Sequence, residues 1–137
     1  MSSEYGVSVH ATITIDPRNE QQFLAALRPA FDAVVAEPEC TFCEIYKNTD
    51  KPGQFRFVEN WRASKEWVIE VQLQKQYYKP YAEATKPLWV EPLKLEFFER
   101  SAPEWRVMKM ENTSSPMTGG VPRYAGYPGA GQRSWGM

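Results

Sequence analysis

A chain of 137 residues with 16 Lys and Arg against 17 Asp and Glu carries a formal charge of −1, which excludes the basic stripe of a nucleic-acid binder and the charged tract of a membrane-surface protein. The length allows one domain of about 100 residues with a single core. Aromatic residues make up 14% of the chain, five of them Trp, so rings line either the core or a pocket for a small neutral partner.

Met1 to Tyr5 is short and polar, without a secretory apolar region, and no later run is apolar over a spanning length; the chain therefore reads as cytoplasmic. Val7, Val9, Ala11, Ile13 and Ile15 alternate with Ser8, His10, Thr12 and Thr14, the period of a strand with one polar face. Asp16 and Pro17 then supply a cap and a first-turn proline. Phe23, Leu27, Ala30 or Phe31, and Val34 follow at helical spacing, with Pro29 expected to kink the helix. Glu37-Pro38-Glu39 ends it, and Cys40 to Lys47 and Gln54 to Trp61 read as two strands joined by a turn-rich segment, which makes their antiparallel pairing the natural solution.

Cys40 and Cys43 fall in the second of these strands. Residues three apart on a regular strand point to opposite faces, so the thiols are expected to pack separately, with no disulfide and no metal. Ser64 caps a further helical region in which Trp67, Val71, Gln74, Tyr78 and Tyr81 follow at steps of four and three, while Pro80 and Pro87 predict a break. Leu93, Leu95 and Phe97 alternate into a fourth strand. Residues 1–100 are thus expected to form one domain and 101–137 an extension, flexible or docked on a partner subunit. Its last 26 residues hold six of the eight glycines, and Tyr124, Tyr127 and Trp135 are rings by which an extended arm docks.

The order βαββαβ predicts an α+β, ferredoxin-like, antiparallel four-stranded sheet with helices on one face. The bare face, carrying Ser8, His10, Thr12 and Thr14, is expected to cover itself in a homodimer.

Ile13-Thr14-Ile15-Asp16-Pro17 leading into Phe23, Ala36-Glu37-Pro38-Glu39-Cys40, and Val58-Glu59-Asn60-Trp61 occur in this order. Together they resemble the antibiotic biosynthesis monooxygenase family of dimeric α/β barrels from Val7 to about Glu99. The resemblance implies cofactor-free oxygenation of a quinol, anthrone or other polyphenol, with dioxygen as co-substrate. It also implies an apolar cage with a base for the proton and donors for the developing oxyanion. Another branch of the family degrades haem, but its Asn, Trp and His match Ala11, Glu70 and Tyr81 here, which argues against that role.

By position, Trp61 and Trp67 match pocket walls or core, and Tyr81 matches a polar site residue, with Tyr77 or Tyr78 beside it. Glu70 is a base if it faces the pocket and half of a surface pair with Gln74 or Lys75 if it faces out. His10 is a hydrogen-bonded residue of the dimer barrel, or the base of a non-redox cyclase, isomerase or decarboxylase on the same scaffold. A non-catalytic ligand-binding dimer is the third reading; it needs no solvent-reachable pocket.

Overall fold

In the computed structural model, which describes residues 4–109, the alternating N-terminal segment forms β1 (Val7–Thr14). A short 3-10 turn over Pro17–Asn19, capped by the Asp16 side chain on the Arg18 amide, leads into α1 (Glu20–Val35). Phe23, Leu27, Ala30 and Val34 are its buried stripe. Pro29 lies inside α1, but on its exposed side beside exposed Ala25. Water can therefore reach the carbonyl four residues back that the missing amide leaves free.

Strands β2 (Cys40–Lys47) and β3 (Gln54–Trp61) follow. The second helical region is two pieces, α2 (Lys65–Glu70) and α3 (Tyr78–Thr85), with a 3-10 turn at Gln72–Gln74 between them. The break thus precedes Pro80, which occupies the first turn of α3, where a helix has no amide bond to lose. Ser64 caps α2 by accepting from the Trp67 amide at 3.0 Å. Strand β4 (Lys94–Glu99) completes an antiparallel sheet in the order β2-β3-β1-β4, the ferredoxin-like arrangement.

Side-chain parity divides this sheet sharply. Val7, Val9, Ile13, Phe55, Phe57 and Trp61 are buried beneath the helices, whereas Ser8, His10, Thr12, Arg56, Val58 and Asn60 occupy the other face. The Cys40–Cys43 segment departs from simple alternation. A β-bulge between Cys40 and Phe42 pairs Cys40 with Trp61 and Cys43 with Glu59, so both thiols belong to the helix side. The expected separation of the two cysteines onto opposite faces is corrected here, because the extra residue of a bulge shifts the alternation by one.

The core forms two clusters. Ile13, Ile15, Phe23, Leu27, Phe55 and Phe57 make one; Val7, Val9, Val34, Trp61 and Val68 make the other. Each fully buried large side chain contributes about 1.5–3 kcal/mol from water exclusion. Gly53 closes the β2–β3 connection at a φ of +89°; its carbonyl accepts from the Ile15 amide at 2.8 Å, and a Cβ there would strike the Ile15 carbonyl.

The compact unit containing the sheet ends at Ser101. Of the second unit, residues 102–109 are described and hold one 3-10 turn, Pro103–Trp105, with an exposed Trp105. Tyr124, Tyr127 and Trp135 lie outside the described residues. Among those described, no helix is long and apolar enough to cross a membrane.

Candidate functional site

The two core clusters do not meet everywhere. A cavity of about 240 Å³ lies under the helices and draws its walls from both, Leu27 and Phe57 from one and Val9 and Val34 from the other. Leu93 and Leu95 also line it while remaining 39% and 41% exposed, so its opening is on the β4 side. An apolar space of this size, reachable from water, has room for a small ligand.

Few polar groups reach this space. Tyr78 and Tyr81, one turn apart on α3, both line it. The Tyr81 hydroxyl is buried without a hydrogen-bond partner; the adjacent Thr85 hydroxyl donates instead to the Tyr81 backbone carbonyl at 2.8 Å. Burial pushes the Tyr81 phenol up to about 12, so it stays protonated and serves as a donor. Trp89, in the segment between α3 and β4, lines the same space, and its indole Nε1 is likewise buried and unpartnered. Two orphaned donors around one cavity are unusual, since a buried donor left unmade costs about 1–3 kcal/mol.

Tyr78 is held differently. The fully buried Gln72 donates through Nε2 to the hydroxyls of Tyr77 and Tyr78 at 2.7 and 2.8 Å. Tyr77 in turn donates to Glu37 at 2.8 Å, and Lys75 pairs with that same carboxylate at 2.8 Å. Tyr77 is therefore a strut outside the cavity lining, not a substrate contact. Burial raises both phenols, Tyr77 to about 12.

The one acidic side chain in the lining is Glu59. It lies two residues before the end of β3, opposite Val9 on β1 and Cys43 on β2, and the Trp61 indole Nε1 donates to its Oε1 at 3.1 Å. Burial raises the Glu59 carboxyl above its ordinary range, with the Trp61 hydrogen bond pulling the other way. Cys43 also lines the cavity; burial pushes its thiol up to about 12, which leaves it unreactive as a nucleophile.

Of the residues expected from sequence to form the site, Tyr78 and Tyr81 converge on the cavity and five others do not. Trp61 is fully buried in the core cluster and acts on the site only through its bond to Glu59. Trp67 packs half-buried against that cluster, with its ring centroid 6.1 Å from that of Trp61. Neither Trp is a wall of the cavity. Tyr77 is the strut described above. Glu70 is exposed at the last position of α2 and faces outward, but the partners expected for it are engaged elsewhere, Gln74 with the Ile69 carbonyl and Lys75 with Glu37. His10 lies on the open sheet face, 3.0 Å from the Ser8 hydroxyl and with its ring 4.7 Å from that of Phe98. There it is remote from the cavity side, as strand parity implied.

Glu59, Gln72 and Trp89 escaped sequence reasoning. Glu59 alone left a usable signal: it stands two residues before Trp61 on a regular strand, so it shares the face that Trp61 buries. No group of three or more His, Cys, Asp or Glu side chains suited to a metal occurs among the described residues.

The sequence profile of the antibiotic biosynthesis monooxygenase family matches residues 6–68. A protein of Pestalotiopsis microspora carrying the name "Putative monooxygenase GME11364" is 44% identical over 94 residues, covering 69% of this chain and 78% of that protein. Among solved structures, an antibiotic biosynthesis monooxygenase superposes with a TM-score of 0.62 at 16% identity, covering 70% of this chain and 99% of its own. Rv0793 of Mycobacterium tuberculosis does so with a TM-score of 0.61 at 19% identity, covering 70% and 95%. At such identities these two structures speak to the fold.

Proposed function

The chain belongs to the antibiotic biosynthesis monooxygenase family, and from that premise we propose that its cavity takes a small polyphenol, quinol- or anthrone-like, for cofactor-independent oxygenation by dioxygen. The observation that carries this reading is the pair of unpartnered donors, Tyr81 Oη and Trp89 Nε1, in the lining of an otherwise apolar cavity. A ligand bearing one or two ring oxygens satisfies them, and they stabilise that oxygen best when it becomes an anion.

The chemistry belongs to the substrate. An anthrone that loses a proton from its methylene carbon becomes an electron-rich anion that passes one electron to dioxygen. The resulting radical and superoxide combine to form the C–O bond of a peroxide anion, which is protonated to the hydroperoxide. Loss of the remaining C–H proton and cleavage of the O–O bond then give the quinone carbonyl and one water. One substrate and one dioxygen are consumed per quinone and water formed.

The open sheet face fits self-association in the same reading. It carries Val58 and the exposed Tyr46 and Phe98 among Arg56, Glu44 and Glu96, a mixture that a second copy covers by pairing rings with rings and opposite charges with each other. The cyclase reading loses support because His10 lies on this face.

Oxygen uptake by metal-free protein supplied with an anthrone and quinol series tests the proposal. Acceleration over buffer, at one dioxygen per quinone, is expected, and Tyr81→Phe is expected to lower kcat by about 10²-fold or more, as loss of an oxyanion donor does. No acceleration with any member of the series overturns the oxygenase reading and leaves a ligand-binding protein.

A further inference from the structure

Glu59 is costly where it stands. The covered face of an inner strand ordinarily takes an apolar side chain, and its neighbours in β3 on that face, Phe57 and Trp61, are buried. A half-buried carboxylate there loses part of its hydration, and no cation forms an ion pair with Glu59 among the described residues. Its one protein hydrogen bond is from Trp61, and that bond engages Oε1; Oε2 has no protein partner among the described residues. A side chain that neither packs nor pairs fully, yet lines the cavity, is one the fold does not explain.

We propose that Glu59 is the proton acceptor of this site, that Trp61 positions it, and that the substrate therefore enters as a neutral weak acid. This deepens the oxygenase reading and rests on it for the identity of the later steps. The Glu59 carboxylate takes the proton from the substrate C–H or O–H, becoming a carboxylic acid as the substrate becomes the anion. One negative charge is present before and after, shifted from Glu59 to a ligand oxygen beside the Tyr81 and Trp89 donors, so the apolar cavity never holds a second anion. Once the C–O bond has formed, the acid returns its proton to the distal peroxide oxygen. Glu59 is again a carboxylate, ready to take the second C–H proton as the O–O bond breaks. That proton passes to the departing hydroxide, which leaves as water.

The surroundings suit this role. Cys40 and Cys43 face Glu59 from β2, Tyr78 and Tyr81 face it from α3, and Lys86 lines the rim. The thiols and phenols are all pushed upward by burial, so none competes as a base near neutrality. The lifted Glu59 carboxyl is closer to the acidity of a phenol or anthrone than an exposed glutamate is, while the Trp61 bond limits that lift.

The experiment compares wild type with Glu59→Gln, which keeps the side-chain volume and an oxygen for the Trp61 donor. Oxygen uptake with an anthrone is expected to fall about 10²–10⁴-fold, the span of a positioned general base. Binding of a hydroxyanthraquinone, which does not consume oxygen, is expected to change less than about threefold. The same bound hydroxyanthraquinone is expected to show less of its ionised absorption band in wild type than in Glu59→Gln, because the Glu59 carboxylate already holds the one negative charge the cavity accommodates. If wild type consumes oxygen and Glu59→Gln keeps more than about a tenth of its rate, Glu59 is not the base and the oxygenase reading stands. If wild type consumes none, the absorption band still decides, and identical bands overturn the role of Glu59 independently. Should Glu59→Gln fail to fold, Trp61→Phe is expected to move the rising limb of activity to higher pH by removing the bond that favours the carboxylate. An unmoved limb overturns the pairing.

Discussion

The two faces of one sheet are made from alternate residues of the same strands, and they obey opposite rules. On the helix side of β1 and β3, Val9, Ile13, Phe57 and Trp61 are buried and a single carboxylate, Glu59, interrupts them. On the open side, His10, Thr12 and Arg56 stand beside Val58, and charges find partners along a strand, as where Lys94 approaches Glu96 two residues on in β4 at 3.9 Å. A polar group on the open face therefore calls for no explanation, while the same group on the covered face demands one. Mixed polarity is the ordinary state of a surface that water reaches, and the isolated exception is where chemistry is to be sought.

The comparison breaks most visibly at Trp61. Trp61→Ala is expected to cost about 3–5 kcal/mol in urea unfolding, from the cavity it leaves; a loss under about 1 kcal/mol would mean that the covered face is not a packed core. Gly53→Ala tests the register that assigns each residue to its face. An alanine forced to positive φ against the Ile15 carbonyl is expected to lose about 1–3 kcal/mol, read in the same unfolding experiment. On the open face, Phe98→Lys is expected to turn a two-chain species into single chains in sedimentation. A variant that sediments as wild type removes this face from the interface.

The smallest effect is expected at His10. Burial and the Arg56 charge hold its imidazole below the ordinary 6.5, against the opposing pull of Glu96. The folded chain then binds fewer protons than the unfolded one between that lowered value and 6.5. The contribution of His10 to stability is thus complete above 6.5 and declines as pH falls through this window. His10→Gln is expected to flatten the slope of unfolding free energy against pH over the same interval.

Much of this architecture is written in local patterns. The β-branched alternation of Val7 to Ile15, the stripe of Phe23, Leu27, Ala30 and Val34, and the Ser64 cap each follow from a rule spanning a few residues. The site was less legible because its geometry depends on interruptions of those rules. The steps of four and three from Trp67 through Val71 and Gln74 to Tyr81 carry one face across a region in which Pro80 and Pro87 predict a break, but α2 already ends at Glu70. Within α2 and the 3-10 turn after it the buried positions are Val68 and Gln72, while Val71 is exposed. Glu70, two residues past the buried Val68, faces solvent on the same helix. Trp89 belongs to no periodic run and reaches the cavity only because Val90 donates to the Thr14 carbonyl at 2.8 Å, tying its segment to β1. The bulge in β2 has no composition of its own.

That bulge has a further consequence for how molecules of this protein meet. In the order β2-β3-β1-β4 the strands β2 and β4 are the sheet's two edges, each a row of amides and carbonyls that an unrelated strand can extend into an aggregate. The irregularity between Cys40 and Phe42 bends the ladder at the start of β2, so an incoming strand loses registry there. On the other edge, Lys94, Glu96 and Glu99 in the six residues of β4 require any added strand to bring matching charges. The fold thus resists indiscriminate lateral growth along its strands.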